Sequence, residues 1–232
     1  MDKDAELAAI HDRYARRSML PADRYSRFNP EVLARVHERQ RAMTALLAAH
    51  GVSSLEKLDV LEIGCGNGAN LLEFLEFGAD PARLVGNELQ ADRLDGARRL
   101  LPPEVRLFAG DASVLPFGDA SFDIVYQSTV FSSILDDELQ RKVAQAMWRW
   151  VKPGGGVLWY DFTFDNPSNR DVRGVRRTRI QALFPHGHMD ARRVTLAPPI
   201  SRRVTRVHPA LYGVFNTVSL LRTHMLCWIK KP

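Results

Sequence analysis

Hydrophobic and polar positions follow two rhythms along this chain. Between residues 4 and 18, Leu7, Ile10 and Tyr14 recur at helical spacing among charges, which predicts a short amphipathic helix. SMLPADRYSRFNP then interrupts the pattern with two prolines. A second helix is predicted from Pro30, with Asn29 as its N-cap. Val32, Leu33, Val36, Met43, Leu46 and Leu47 supply its apolar stripe, and Gly51 ends it.

From residue 58 onward, compact apolar runs alternate with helical patterns. Strands are predicted over residues 60–63, 83–88, 105–109, 122–127 and 157–162, and helices over 67–77, 92–101 and 137–151. Pro102-Pro103 stops the second of those helices, and KPGGG marks a turn before the fifth strand. This alternation predicts a doubly wound α/β sheet. Past residue 162 the pattern weakens to a helix over 176–183 and strands near 193–196 and 224–229. No internal repeat is visible.

The most informative stretch is DVLEIGCGNGAN, residues 59–70, where a strand runs into a glycine turn that opens a helix. Gly64, Gly66 and Gly68 let the backbone approach a ligand closely, and free amide N–H groups at the helix start face the turn. Gly64, Gly66 and Ala69 also satisfy the dinucleotide-binding pattern. Against a pyrophosphate stands Glu62, two residues before the first glycine, because an acid there suits a ligand with a cationic end.

In an open parallel sheet, ligands bind beyond the carboxyl ends of the strands. Those tips carry the glycine turn, then Glu88, Gly110-Asp111-Ala112, Gln127-Ser128-Thr129 and Asp161. A carboxylate at Glu88 can accept both hydroxyls of a ribose. Asp111 can receive the exocyclic amine of an adenine, with Leu89 and Val114 against the ring.

Taken in order, VLEIGCGNG, the acid ending strand 2, GDAS, FDIVYQ and VKPGG resemble the class I S-adenosylmethionine-dependent methyltransferases over residues 58–162. That resemblance implies a Rossmann-like, seven-stranded, mostly parallel sheet with helices on both faces, the last strand antiparallel. It implies S-adenosylmethionine as cofactor, with Glu62 at its amino end. Gly64, Cys65, Gly66 and Gly68 would lie beside the methionine and ribose, Glu88 and Leu89 at the ribose and ring, Asp111 and Ala112 at the adenine, and Gln127 near the methionine. Residues 1–52 become an N-terminal helical lid carrying Tyr14, Tyr25 and Phe28. Residues 53–232 become the methyltransferase domain, with acceptor-side insertions over 163–221. Strand 2 ends N-E-L where many relatives have G-x-D; glutamate reaches further and accepts the same hydroxyls.

Composition narrows the partners. The chain has 232 residues, of which 45% are hydrophobic and 25% charged, an ordinary balance for one globular domain. Cys65 and Cys227 form no CxxC or Cys/His cluster, which favours a reducing compartment and no structural zinc. Neither a signal peptide nor an apolar run of bilayer-spanning length is evident, so a cytoplasmic protein is expected. Net charge is +5, and residues 165–207 hold ten arginines against three aspartates. That segment is a solvated basic face, or a site for an anionic substrate or a membrane surface.

Transfer to oxygen needs a base. Asp161 is the candidate catalytic residue, with His186, His188, His208 and His224 behind it; His186 and His188 lack a third ligand for a metal. No Asn/Asp-Pro-Pro-Tyr/Phe motif, cysteine nucleophile or appended RNA-binding module is present, which favours a small-molecule acceptor methylated on oxygen. Arg170, Arg173, Arg176 and Arg177 would suit an anionic, phosphate-bearing or glycosyl acceptor. A nucleic-acid methyltransferase using the basic segment, a non-catalytic cofactor-binding scaffold and a nicotinamide oxidoreductase are the rival readings. Oligomeric state stays open, a homodimer included.

Overall fold

The computed structural model describes residues 3–18, 26–165 and 169–232. Tyr25, one of the three aromatics expected in a lid, lies outside them. Strands β1 (Val60–Ile63), β2 (Leu84–Glu88), β3 (Arg106–Ala109), β4 (Phe122–Ser128), β5 (Val151–Phe162), β6 (His188–Leu196) and β7 (Arg222–Lys230) form one sheet in the order β3-β2-β1-β4-β5-β7-β6. The first five run parallel, and β7 is antiparallel to both β5 and β6. The expected seven-stranded Rossmann-like sheet with an antiparallel final strand is therefore present.

Helices cover both faces: α1 (Lys3–Ser18), α2 (Pro30–Ala49), α3 (Ala69–Glu76), α4 (Ala91–Leu100), α5 (Asp137–Trp150), α6 (Arg177–Leu183), α7 (Pro198–Val207) and α8 (Leu211–Asn216). Local chemistry sets their ends. Asn29 caps α2 by accepting the Glu31 N–H at 3.0 Å ahead of Pro30. Asp136 caps α5 by accepting from the Leu139 N–H at 2.8 Å, and Asp137 and Glu138 complement the helix dipole.

The pleat of β1 divides the core into two layers. Leu61 and Ile63 join Val125, Trp159 and Trp150 under α5 and α6. Val60 joins Ile124, Leu158, Met43, Leu46 and Phe74 under α2 and α3. The N-terminal segment thus separates by role: α2 is an integral layer of the second core, and only α1 stands apart from it.

Three differences from the sequence expectation have physical causes. β5 begins at Val151, because Val151 pairs with Phe122 and the register then slips so that Gly156 faces Ile124. KPGGG is therefore a bulge inside the strand, where Lys152 bridges Asp59 at 2.7 Å and Asp123 at 2.8 Å. Within the expected insertion over 163–221, β6 is an edge strand of the sheet and α6 packs on α5. Finally, α7 and α8 were not expected at all: their inward positions are Ser201, Thr205, Tyr212 and Asn216, a mostly polar set that inverts the usual pattern.

Candidate active site

The glycine turn after β1 is held by its neighbours. Gly64, Gly66 and Gly68 all have positive φ, at 62°, 57° and 85°, where a side chain would be strained. Cys65 N–H donates to the Asn87 carbonyl at 2.8 Å, which fixes the turn against the tip of β2. The approach is close: a Cβ at Gly86 would stand 2.7 Å from Leu107 Cδ2 and 2.9 Å from Cys65 Sγ. Burial pushes the Cys65 thiol well above its ordinary pKa, with Glu62 and Glu88 adding to the shift, so it packs as an apolar group.

Glu88 ends β2 almost wholly buried. Its Oε2 accepts the Gly66 N–H at 2.8 Å and its Oε1 accepts the Gln90 N–H at 2.9 Å, with Arg93 Nη1 at 3.8 Å. Each carboxylate oxygen can accept a second hydrogen bond, so two neighbouring hydroxyls can still be received. At the next tip, Asp111 takes the Ser113 N–H at 2.8 Å and the Ser113 hydroxyl at 2.7 Å, forming a capped 3-10 turn.

A narrow cleft with about 60 Å³ of free volume opens over these tips. Gly64, Glu88, Leu89, Asp111 and Ala112, expected at the cofactor, all line it. Its roof is α1, which contributes Leu7, Ile10 and Tyr14. Helix α1 is tied down at several points. His11 Nδ1 meets Gln90 Oε1 at 2.8 Å, Tyr14 lies under the Arg93 guanidinium at 4.9 Å, and Arg16 pairs with Asp171 at 2.6 Å. The buried Glu6 accepts from Arg13 at 2.7 Å and from the Leu135 N–H at 2.7 Å. Phe28, by contrast, is fully exposed and adds nothing to the roof.

The remaining expected residues stand beside this cleft and do not line it. Glu62 is completely buried on the α2–α3 face. Oε1 accepts from Asn70 Nδ2 at 2.6 Å, while Oε2 has no hydrogen-bond partner among the described residues. Burial raises its pKa to about 8, so it is mostly neutral in the free protein at neutral pH. Gln127 is spent on the backbone: Oε1 accepts the Val130 N–H at 3.1 Å and Nε2 donates to the Tyr160 carbonyl at 3.4 Å. It thereby shapes the turn carrying Val130, which packs over Gly64.

The base candidates fare differently. Asp161 is buried, with Oδ2 accepting the Ser132 N–H at 3.0 Å and Oδ1 accepting the Phe162 N–H at 2.8 Å. Burial lifts its pKa to about 6. Expected as a base, it sits in the structure as the anchor of the 3-10 turn Phe131–Ser133, whose Ser133 lines the cleft. His188 opens β6 at the amino edge of the sheet, opposite the cleft, two residues from His186. His224 is buried against Tyr160 and Phe162, and burial lowers its pKa to about 3, leaving it neutral. His208 is exposed between α7 and α8. Among the described residues no cluster of three or more metal-ligating side chains occurs.

Sequence reasoning passed over several residues here. Asn70, Asn87 and Arg93 brace the glycine turn and the tip of β2. Arg39 of α2, nearly buried, grips Glu73 with Nη2 at 2.9 and 2.8 Å and leaves its Nε without a partner among the described residues. It contributes an attractive charge at Glu62. Arg39 is thus paired with Glu73, but its Nε and Glu62 Oε2 each stay without a hydrogen-bond partner among the described residues, which leaves one donor and one acceptor for a zwitterionic amino-acid group. No local spacing announces that pair, because Arg39 reaches the site only through the docking of α2.

A parallel sheet with a glycine turn after β1 and an acid ending β2 defines an α/β protein built for an adenosine-bearing cofactor. A family model described as a methyltransferase domain matches residues 60–155. The chain is 31% identical over 189 residues to demethylmenaquinone methyltransferase of Deinococcus radiodurans, covering 79% of this chain and 72% of that protein. It is 29% identical over 125 residues to sterol 4-C-methyltransferase of Caenorhabditis elegans, covering 53% of this chain but 36% of that protein. The chain thus spans little more than a third of that sterol relative. A solved structure of a S-adenosylmethionine-dependent methyltransferase from Methanosarcina mazei superposes with a TM-score of 0.56 at 16% identity, over 79% of this chain and 97% of that one. The chain belongs to the class I S-adenosylmethionine-dependent methyltransferases, and S-adenosylmethionine is its cofactor.

Proposed function

We propose that the protein transfers a methyl group from S-adenosylmethionine to an oxygen of a small, anion-bearing acceptor. The observation that carries the reading is Glu88, buried at the tip of β2 and pinned by the Gly66 and Gln90 N–H groups over a roofed cleft. The cofactor supplies an electrophilic methyl on a sulfonium. The protein's part is to align it, exclude water and admit the acceptor in line. In this reading Glu88 receives the ribose, Asp111 and Ala112 meet the adenine, and Glu62 with Arg39 holds the amino-acid end. Asp161 acts as a positioning residue through the Ser132 turn.

Support for the acceptor class comes from Arg170, Arg176 and Arg177, which are exposed after β5 at the edge where the strands end. Arg173 is less available, being paired with Asp137. Relatives named for a sterol and for demethylmenaquinone favour a small organic acceptor over a macromolecule. With Asp161 buried and outside the lining of the cleft, the reading favours an acceptor oxygen that arrives ionised, such as a carboxylate or an acidic hydroxyl.

Parallel calorimetric titration with S-adenosylhomocysteine and NAD, followed by methyl-transfer assays on carboxylate, phenol and phosphate compounds, tests it. Binding of S-adenosylhomocysteine with transfer to anionic acceptors is expected. Transfer only to neutral amines or to RNA would overturn the acceptor assignment.

A further inference from the structure

The inserted segment between β6 and β7 has a composition the cofactor site does not explain. From Ala197 to Leu221 it contains no aspartate or glutamate and three arginines. Ser201, Thr205, Tyr212 and Asn216 turn inward, and α7 and α8 pack on α2. Serine 201 anchors the unit by donating to Glu31 Oε1 at 3.0 Å.

Most of the residues between those inward positions face solvent, and several of them are apolar. Val207 is 79% exposed, Val214 60%, Val218 47% and Leu220 80%, with Phe215 also exposed. Arg202, Arg203 and Arg206 are exposed on the same short stretch. Isolated apolar residues on a surface are ordinary, but a run of them on one inserted unit beside three arginines is not. Aliphatic groups that shed water, bordered by cations with no acid among them, complement a bilayer interface with anionic headgroups.

The location agrees. β6 ends at Leu196 and β7 begins at Arg222, both at the carboxyl edge of the parallel strands, where the cofactor cleft opens. A surface held there would bring that edge against a bilayer. Nucleic acid fits less well, because the exposed apolar groups are chiefly valine and leucine, with Phe215 the single exposed phenylalanine, tyrosine or tryptophan among residues 198–220 on which a base could stack. Among the described residues no helix is long and apolar enough to cross a membrane, so contact would be with the interface alone.

We propose that residues 198–220 form a docking surface for an anionic lipid bilayer. The docking is independent of the acceptor chemistry proposed above, since it can be read without cofactor or acceptor. Co-sedimentation of the full chain with vesicles of phosphatidylcholine, alone or mixed with phosphatidylglycerol, tests it. Binding to the mixed vesicles, weakened by salt and little seen on phosphatidylcholine alone, is expected. Arg202→Gln, Arg203→Gln and Arg206→Gln together should weaken it about 100-fold. Leu220→Asp with Val214→Asp should abolish it, while calorimetric binding of S-adenosylhomocysteine stays unchanged in both variants.

Absence of binding to the mixed vesicles would overturn the proposal, as would equal binding to both vesicle types or binding indifferent to both variants. Competition by single-stranded RNA with no vesicle binding would reassign the face to nucleic acid. A concentration-dependent dimer broken by Leu220→Asp, again without vesicle binding, would reassign it to a second copy of this chain.

Discussion

Replacing Glu6 by alanine isolates the contribution of α1 as the roof of the cleft. Glu6 is fully buried, Arg13 is 9% exposed, and the two meet at 2.7 Å. The same Oε1 receives the Leu135 N–H, and Arg13 also donates to the Ser133 carbonyl at 3.2 Å. Removing one partner of a buried pair costs about 3–5 kcal/mol, mostly because the surviving charge is left without compensation. That cost has an escape. Helix α1 can swing off the cleft and hydrate Arg13, giving up chiefly the burial of Ile10 and part of Leu7 and Tyr14, about 1.5–3 kcal/mol for each side chain fully buried. The two figures are similar, so Glu6→Ala should release α1 while the sheet stays folded.

Hydrogen exchange resolved by peptide measures this directly, with calorimetric titration of S-adenosylhomocysteine alongside. Amides of α1 should exchange roughly 100-fold faster, corresponding to a local opening about 3 kcal/mol easier. Strands β1, β4 and β5 should be unaffected, and cofactor affinity should fall about tenfold or more as Leu7, Ile10 and Tyr14 leave the cleft. Glu6→Gln keeps an acceptor for Arg13 and Leu135 and should fall between the wild type and Glu6→Ala. The reasoning is refuted if α1 exchange and cofactor affinity are both unchanged in Glu6→Ala. A uniform rise in exchange across the sheet would refute the separable-roof account instead.

Two further outcomes follow from the carboxylates. Glu62 has a folded pKa raised by burial from 4.5 to about 8, so its contribution to stability is fully present below pH 4.5 and lost as pH rises through about 8. If it pairs with the cofactor's ammonium, binding at pH 7 should release close to one proton. The calorimetric enthalpy would then vary with buffer ionisation enthalpy, and Glu62→Gln should remove that dependence; no proton release in the wild type would count against the pairing. Glu88→Ala should weaken S-adenosylhomocysteine binding by about 1–3 kcal/mol through lost hydrogen bonds, with undiminished affinity ruling out the ribose role.

Much of the fold is legible in the sequence because a parallel sheet imposes simple local demands. A strand buried on both faces reads as VLEI, a turn beside a ligand needs glycines, and Asn29-Pro30 and Asp136 announce helix starts through hydrogen bonds made within three residues. Those signals also located Glu88 and Asp111, since a strand tip is a sequence position. They failed at α7 and α8, where the inward face is Ser201, Thr205, Tyr212 and Asn216 and the hydrophobic residues point outward. They failed at KPGGG too, because only pairing with Phe122 and Lys231 shows that the glycines bulge from a continuing strand.

The sequence by itself determined which residues reach the carboxyl edge of the sheet, because chain order and a period of two assign every tip and face. What each tip does there was decided by the tertiary structure. Asp161 is a strand-tip acid like Glu88, and both have each oxygen engaged by a backbone N–H, yet Glu88 lines the cleft whereas Asp161 lies behind the Ser132 turn. Arg39 and Glu73 lie 34 residues apart and meet only because α2 packs across the sheet. Whether a polar group faces the cleft depends on which segments pack over it, and those segments arrive from distant parts of the chain.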